Sequence, residues 1–176
     1  NCRAEIFCDG NLFMQSCGEL QFTDYGISGP VIFEVSRDAC YGDGTYYALL
    51  DFLPEYSWQT VYEELERRRQ TALPVDELLT GILHNRLGRV LTKAAGVKDI
   101  KFVRELTASQ LSDVCNGIKQ FELALTEPLG MDSAQVTAGG VVTADFSPTT
   151  MQSSLVPGLY ACGEVFDVDG DCGGYN

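Results

Sequence analysis

Short apolar runs broken by glycine turns fill the first fifty or so residues, and where they alternate they do so with period two. Ala4 to Phe7 is rich in β-formers, and the Asp9-Gly10-Asn11 turn closes a hairpin, so Leu12-Phe13-Met14 reads as the returning strand. Leu20 and Phe22 alternate with polar neighbours, as on a half-buried strand. TDYGISGP at 23–30 packs two glycines and a proline into one tight loop, and Val31 to Val35 suits either a strand or a short buried helix. After a YGDG turn at 41–44, Thr45 to Phe52 reads as another strand. Many short strands with glycine turns predict a small barrel or sandwich.

Past Leu53-Pro54 the period becomes helical. Ser57 is placed to cap a helix whose Val61, Tyr62 and Leu65 share one face. Glu63, Glu64 and Glu66 precede Arg67, Arg68 and Arg69 at distances that allow ion pairs one turn apart. Leu73-Pro74 ends that helix. A second helical run spans Val75 to Ala95, with Gly81 or Gly88 as the residue that splits it and Gly96 as its C-terminal stop. Thr107 opens a third helix through Leu111, Val114 and Cys115, closing near Asn116-Gly117. Beyond Ile118 the period returns to two: Phe121, Leu123 and Leu125 alternate with Glu122, Ala124 and Thr126. EPLG at 127–130 is a turn. A strand pattern at 134–143 is interrupted by Gly139-Gly140, and such a pair marks either a bulge or a close backbone approach. Leu159 to Cys162 reads as a short strand running into Gly163-Glu164.

Composition narrows the function classes. The chain has 176 residues, 45% of them hydrophobic, which is enough for a real core, and no apolar run reaches the length of a membrane span. The formal net charge of -13 argues against a nucleic-acid or anionic-membrane partner, which needs Lys and Arg to neutralise phosphate. Nine of the twelve basic residues nevertheless lie between Arg67 and Arg104, either as a solvated helical face or as a docking face for an anion. Seven scattered Cys without a CxxC suit reduced thiols and a cytoplasmic location better than disulfides or zinc. The sequence opens without an initiator Met or the apolar core of a signal peptide.

Several residues invite a chemical reading. Asp167, Asp169 and Asp171 alternate like the first ligands of a calcium loop, but Cys172 follows where glycine belongs, so an acidic surface loop is the default and no metal is expected. His84, the only histidine, lies in a helical run and suits a helix surface better than catalysis. Tyr25 and Ser28 either line a pocket or fix a turn. Tyr46, Tyr47 and Trp58 are core or interface aromatics.

TAGGV at 137–141, TTMQS at 149–153, GLYACGE at 158–164 and GGYN at 173–176, with GELQFTDYGISGPVIFEVSR at 18–37, occur in an informative order. Together they resemble the BaiN-like, aminoacetone-oxidase-like family of NAD(P)/FAD-dependent flavoproteins over nearly the whole chain, and more distantly the fumarate reductase superfamily. The resemblance implies an α+β chain. Residues 1–52 would be the β-barrel part of an inserted domain, 53–118 its helical bundle and 119–133 the return strand. Residues 134–176 would be a partial segment of a glutathione-reductase-like FAD domain.

It also implies cofactor-binding roles. Glu164 would meet the ribityl hydroxyls, and Gly139, Gly140, Gly163, Gly173 and Gly174 would let backbone approach the flavin. The N–H groups of Tyr175 and Asn176 would favour negative charge on the reduced ring. No GxGxxG occurs, so the pyrophosphate site is missing and the chain reads as a fragment of a larger FAD enzyme, inactive alone. Its partners would be the remainder of its own FAD domain, a small-molecule substrate and NAD(P)H. The alternative from another class is a non-catalytic binding or interaction module.

Overall fold

The computed structural model describes residues 1–39, 43–133, 139–168 and 170. It is a mixed α and β structure with a small sheet. Strands β1 (Cys2–Cys8), β2 (Asn11–Gly18), β5 (Tyr46–Asp51) and β6 (Phe121–Leu125) form an antiparallel sheet in the order β2-β1-β5-β6. Two short strands, β3 (Gln21–Phe22) and β4 (Ile27–Ser28), pair beside it. The β1–β2 hairpin closes where the sequence places it, with Asp9 and Gly10 both at positive φ (49° and 82°), as a two-residue primed turn requires. Alternation then selects the buried face: Cys2, Ala4 and Ile6 of β1 and Tyr46, Ala48 and Leu50 of β5 point into the core.

The 31–35 ambiguity resolves as helix α1 (Pro30–Ala39). Pro30 stands at the first helical position, where its missing N–H costs nothing, and Val31 and Val35, one turn apart, are buried against β1 and β2. Helix α2 (Trp58–Arg69) begins at Ser57, whose side chain accepts from the Thr60 N–H at 3.1 Å, and buries Val61 and Leu65. The ion pairs form as Glu64 with Arg67 and Arg68, and Glu66 with Arg69. Glu63 instead accepts from Gln59. Arg68 also donates to the carbonyls of Leu78 (2.9 Å) and Thr80 (2.8 Å), which ties α2 to the turns that follow.

The run from Val75 to Ala95 is not one helix. A 3-10 turn at Val75–Glu77 and a bridge between Thr80 and Leu83 precede α3 (Asn85–Ala94). The break falls at Gly81, at φ 81°, and not at Gly88, which lies within α3. There Gly88 permits close packing, since a Cβ on it would stand 2.9 Å from Leu79 Cβ. Helix α4 (Ala108–Lys119) opens with a full capping box between Thr107 and Gln110 and continues past Gly117 to Lys119. It packs on α2, α3 and the β5–β6 end of the sheet.

All of this helical region lies in the chain between two paired strands, β5 and β6, and one buried carboxylate fastens the junction. Asp51 is 3% exposed. It meets Arg3 Nη2 at 3.0 Å and Lys119 Nζ at 2.7 Å, and accepts from the Leu53 N–H. Lys119 also donates to the carbonyls of Leu53 and Tyr56, so the end of α4 is locked to the end of β5. Among the described residues no helix is long and apolar enough to cross a membrane.

Candidate functional site

Residues 139–168 are organised by backbone pairing more than by regular elements. Val141 donates to the Val165 carbonyl at 2.8 Å and accepts from the Asp167 N–H at 3.0 Å, a parallel bridge between Val141 and Phe166. Antiparallel bridges join Phe146 to Ser153 and Gln152 to Tyr160. The Phe146 and Phe166 rings meet edge to face, with centroids 5.1 Å apart. The strand expected at 159–162 is reduced to that single bridge at Tyr160. Its neighbour Ala161 donates to the Met151 carbonyl, but among the described residues no second strand extends the ladder.

This pairing brings Gly139-Gly140 beside the 163–167 turn. Gly140 sits at φ 154°, and a Cβ on it would lie 2.6 Å from the Val165 carbonyl oxygen and 2.8 Å from the Asp167 nitrogen. Only glycine allows the two backbones to approach so closely. Gly139 (φ 92°) and Gly163 (φ 77°) differ: open space surrounds the position where each Cβ would stand. Glu164 lies in the 3-10 turn Gly163–Val165 with its carboxylate exposed, and no side chain caps that turn. Four of the expected cofactor residues, Gly139, Gly140, Gly163 and Glu164, thus fall on two adjoining segments. Gly173, Gly174, Tyr175 and Asn176 lie outside the described residues, as do Asp169 and Asp171 of the acidic loop. Among the described residues no group of three His, Cys, Asp or Glu side chains could hold a metal ion.

A concave feature lies at the end of the sheet, against α3. It is an open cleft of about 810 Å³ reaching Phe22, Phe52, Phe121, Leu83, His84 and Arg86. Sequence reasoning did not assemble it. Its walls come from five separated segments, and His84 belongs to it as the N-cap of α3, with Nδ1 accepting from the Arg86 N–H at 3.3 Å.

Residues 7–136 match the family described as the HI0933-like protein barrel and H2TH domain. The chain belongs to that family. Relatives include the 3-dehydro-bile acid delta(4,6)-reductase of Clostridium scindens, 36% identical over 167 residues that make up 92% of this chain and 41% of the relative. The ribosomal RNA dihydrouridine synthase of Haemophilus influenzae is 32% identical over 161 residues, 90% of this chain and 38% of the relative. The Escherichia coli protein of the same name is 29% identical over 168 residues, 96% and 40% respectively. The chain therefore spans about two fifths of the length of these curated relatives. Membership of the HI0933-like family bears out the resemblance to the BaiN-like flavoproteins read from the 18–37 and 137–164 motifs, and places the chain with an oxidoreductase family. The match takes in the four-stranded sheet from Phe7 onward and the four α-helices among the described residues, and ends before Gly139.

Proposed function

We propose that this chain is the inserted domain, plus one wall of the flavin site, of an FAD-dependent oxidoreductase that moves hydride or electrons between its flavin and NAD(P)H or a small organic substrate. The observation that carries the reading is the parallel pairing of Gly139-Gly140-Val141 with Val165-Phe166-Asp167 in a member of this family. Two glycine-bearing backbones held side by side, with open space at Gly139 and Gly163 and a free carboxylate at Glu164, fit the edge of a planar cofactor carrying hydroxyls. The division at residues 52, 118 and 133 belongs to the same reading, with 134–176 as part of a glutathione-reductase-like FAD domain.

Bound flavin would supply the hydride chemistry. The chain's own part is placement. Glu164 would accept hydrogen bonds from the ribityl hydroxyls, and Gly139, Gly140 and Gly163 would keep side chains out of the ring's path. By the family resemblance, Gly173 and Gly174 would let backbone approach the ring, and the N–H groups of Tyr175 and Asn176 would favour negative charge on it. The remainder of the FAD domain covers Leu155, Val156, Leu159, Tyr160 and Val165, which are apolar and exposed in this chain. By their names, the relatives reduce a bile acid or make dihydrouridine in ribosomal RNA. The net charge of -13 favours a small molecule over RNA for this chain.

The test is to purify the full-length protein that contains this chain and read flavin absorbance, then add NADH or NADPH without oxygen. Stoichiometric FAD, bleached by one nicotinamide, is the expected result, with no FAD retained by the 176-residue chain alone. A full-length protein that neither carries nor takes up FAD refutes the assignment.

A further inference from the structure

We infer that the cleft between the sheet end and α3 is filled, in the full-length protein, by the residues that immediately precede Asn1, laid along the line of β1. The inference rests on the proposed function only in taking this chain as part of a longer protein.

The strand register carries it. β1 is an inner strand, with β2 on one side and β5 on the other. Its start is paired with the ends of both: Cys2 pairs with Gly18, the last residue of β2, and Arg3 pairs with Asp51, the last residue of β5. Chain that continues β1 backwards therefore runs between the residues that continue β2 and β5 forwards. Those are Glu19 and Leu20 on one side and Phe52 and Leu53 on the other, and all four line the cleft, as do Asn1 and Cys2. The cleft is the space into which the start of β1 points.

Its walls are unfinished core. Leu20, Leu53, Leu83, Leu87 and Phe121 line it, and each is half-buried and packs against the buried cluster. The buried Phe52 ring lies between those of Phe22 and Phe121, with centroids 6.1 Å and 5.9 Å away. Phe22 and Val90 are left 46% and 56% exposed. The polar lining residues Glu19, Glu55, His84 and Arg86 are all exposed, so the part of the lining withdrawn from water is apolar. Such a surface takes apolar side chains. A segment joined to Asn1 brings them at an effective concentration on the order of millimolar, without the translational cost that a separate molecule incurs. The matched relatives extend well beyond the two fifths of their length that this chain spans, so a longer protein has chain to place there.

Photo-cross-linking of the full-length protein identifies the occupant. Phe22→p-benzoylphenylalanine keeps an aromatic side chain at an exposed position of the cleft, and Val90→p-benzoylphenylalanine probes the α3 side. After irradiation and digestion, mass spectrometry should find both joined to a peptide within about ten residues before Asn1, about 33 Å of extended chain. The same group at Tyr25, which is exposed but outside the cleft lining, should not capture that peptide. Four results each overturn the inference: cross-links to a remote part of the protein, cross-links to a second copy, none from either cleft position, or equal capture from Tyr25. The readout needs no flavin. Failure of the cross-link in a full-length protein that carries FAD refutes the cleft occupant alone, and a flavin-free full-length protein that gives the cross-link refutes the oxidoreductase reading alone.

Discussion

Replacing Gly140 by alanine should open the 139–168 segment while leaving the sheet and helices folded. Two costs combine at this residue. Its φ of 154° is a conformation that side-chain-bearing residues rarely adopt, a strain on the order of 1–3 kcal/mol. The new Cβ would also stand 2.6 to 2.8 Å from three backbone atoms of Val165, Phe166 and Asp167, and backbone cannot step aside as a flexible side chain can. The two segments must part, which breaks the Val141–Val165 and Asp167–Val141 hydrogen bonds, each a net loss of about 1 kcal/mol. The sum is about 3–5 kcal/mol, a hundredfold or more in the opening equilibrium. Gly139→Ala is the matched control: its φ is 92°, but nothing lies within 4 Å of the new Cβ, so only strain remains, about 1 kcal/mol or fivefold. Amide hydrogen exchange at Val141 and Asp167 reads both. Protection at these two amides should collapse in Gly140→Ala and fall slightly in Gly139→Ala, with β1 and β5 amides unchanged. Equal protection in the two variants, or none in the parent chain, refutes the close-approach argument. In the full-length protein the same Gly140→Ala change should lower flavin content more than Gly139→Ala does.

The remaining expectations concern the core. Asp51→Asn leaves Arg3 and the mostly buried Lys119 facing a neutral amide. It should lower unfolding free energy by about 3 kcal/mol, read as a shift in the urea midpoint, and an unchanged midpoint would remove Asp51 from its place at the junction. Burial, aided by the Asp51 charge, pushes the Cys2 thiol up from 9.0 to about 12, and burial pushes Cys115 up to about 11. The folded chain then holds these protons where the unfolded chain has lost them, so stability is full below pH 9 and declines as pH climbs toward 12. Below that window iodoacetamide should modify the exposed Cys17 and Cys162 first, and early labelling of Cys2 or Cys115, seen by mass spectrometry, would contradict their burial.

What could be read without coordinates were features fixed by near neighbours. The Asp9-Gly10 hairpin, the Ser57 cap, the Thr107–Gln110 capping box and the strands at 46–51 and 121–125 depend on local geometry and period, and each stands where the sequence places it. Family membership was legible because the resemblance rests on short motifs, such as GELQFTDYGISGPVIFEVSR at 18–37, that are read directly along the chain. Where two local rules competed, the sequence left the matter open. Val31–Val35 has β-branched residues and a helix-starting proline, and burial of one helical face against β1 and β2 decided for helix. The stretch 75–83 has helical spacing of leucines, yet Arg68 holds the carbonyls of Leu78 and Thr80 from another helix, so those leucines are buried without one.

The sequence by itself determined the succession of elements, the hairpin and caps, the acidic charge and the flavoprotein family. Tertiary structure alone decided which distant residues meet. Gly140 touches 165–167 through a pairing some twenty-five residues apart, and Phe22, Phe52, Phe121 and His84 share one cleft although strands and helices separate them along the chain. Periodicity reports which face of an element is buried, not what it is buried against. That choice depends on the summed packing of all the elements, as when Asp51 joins a strand start, a strand end and a helix end around one carboxylate.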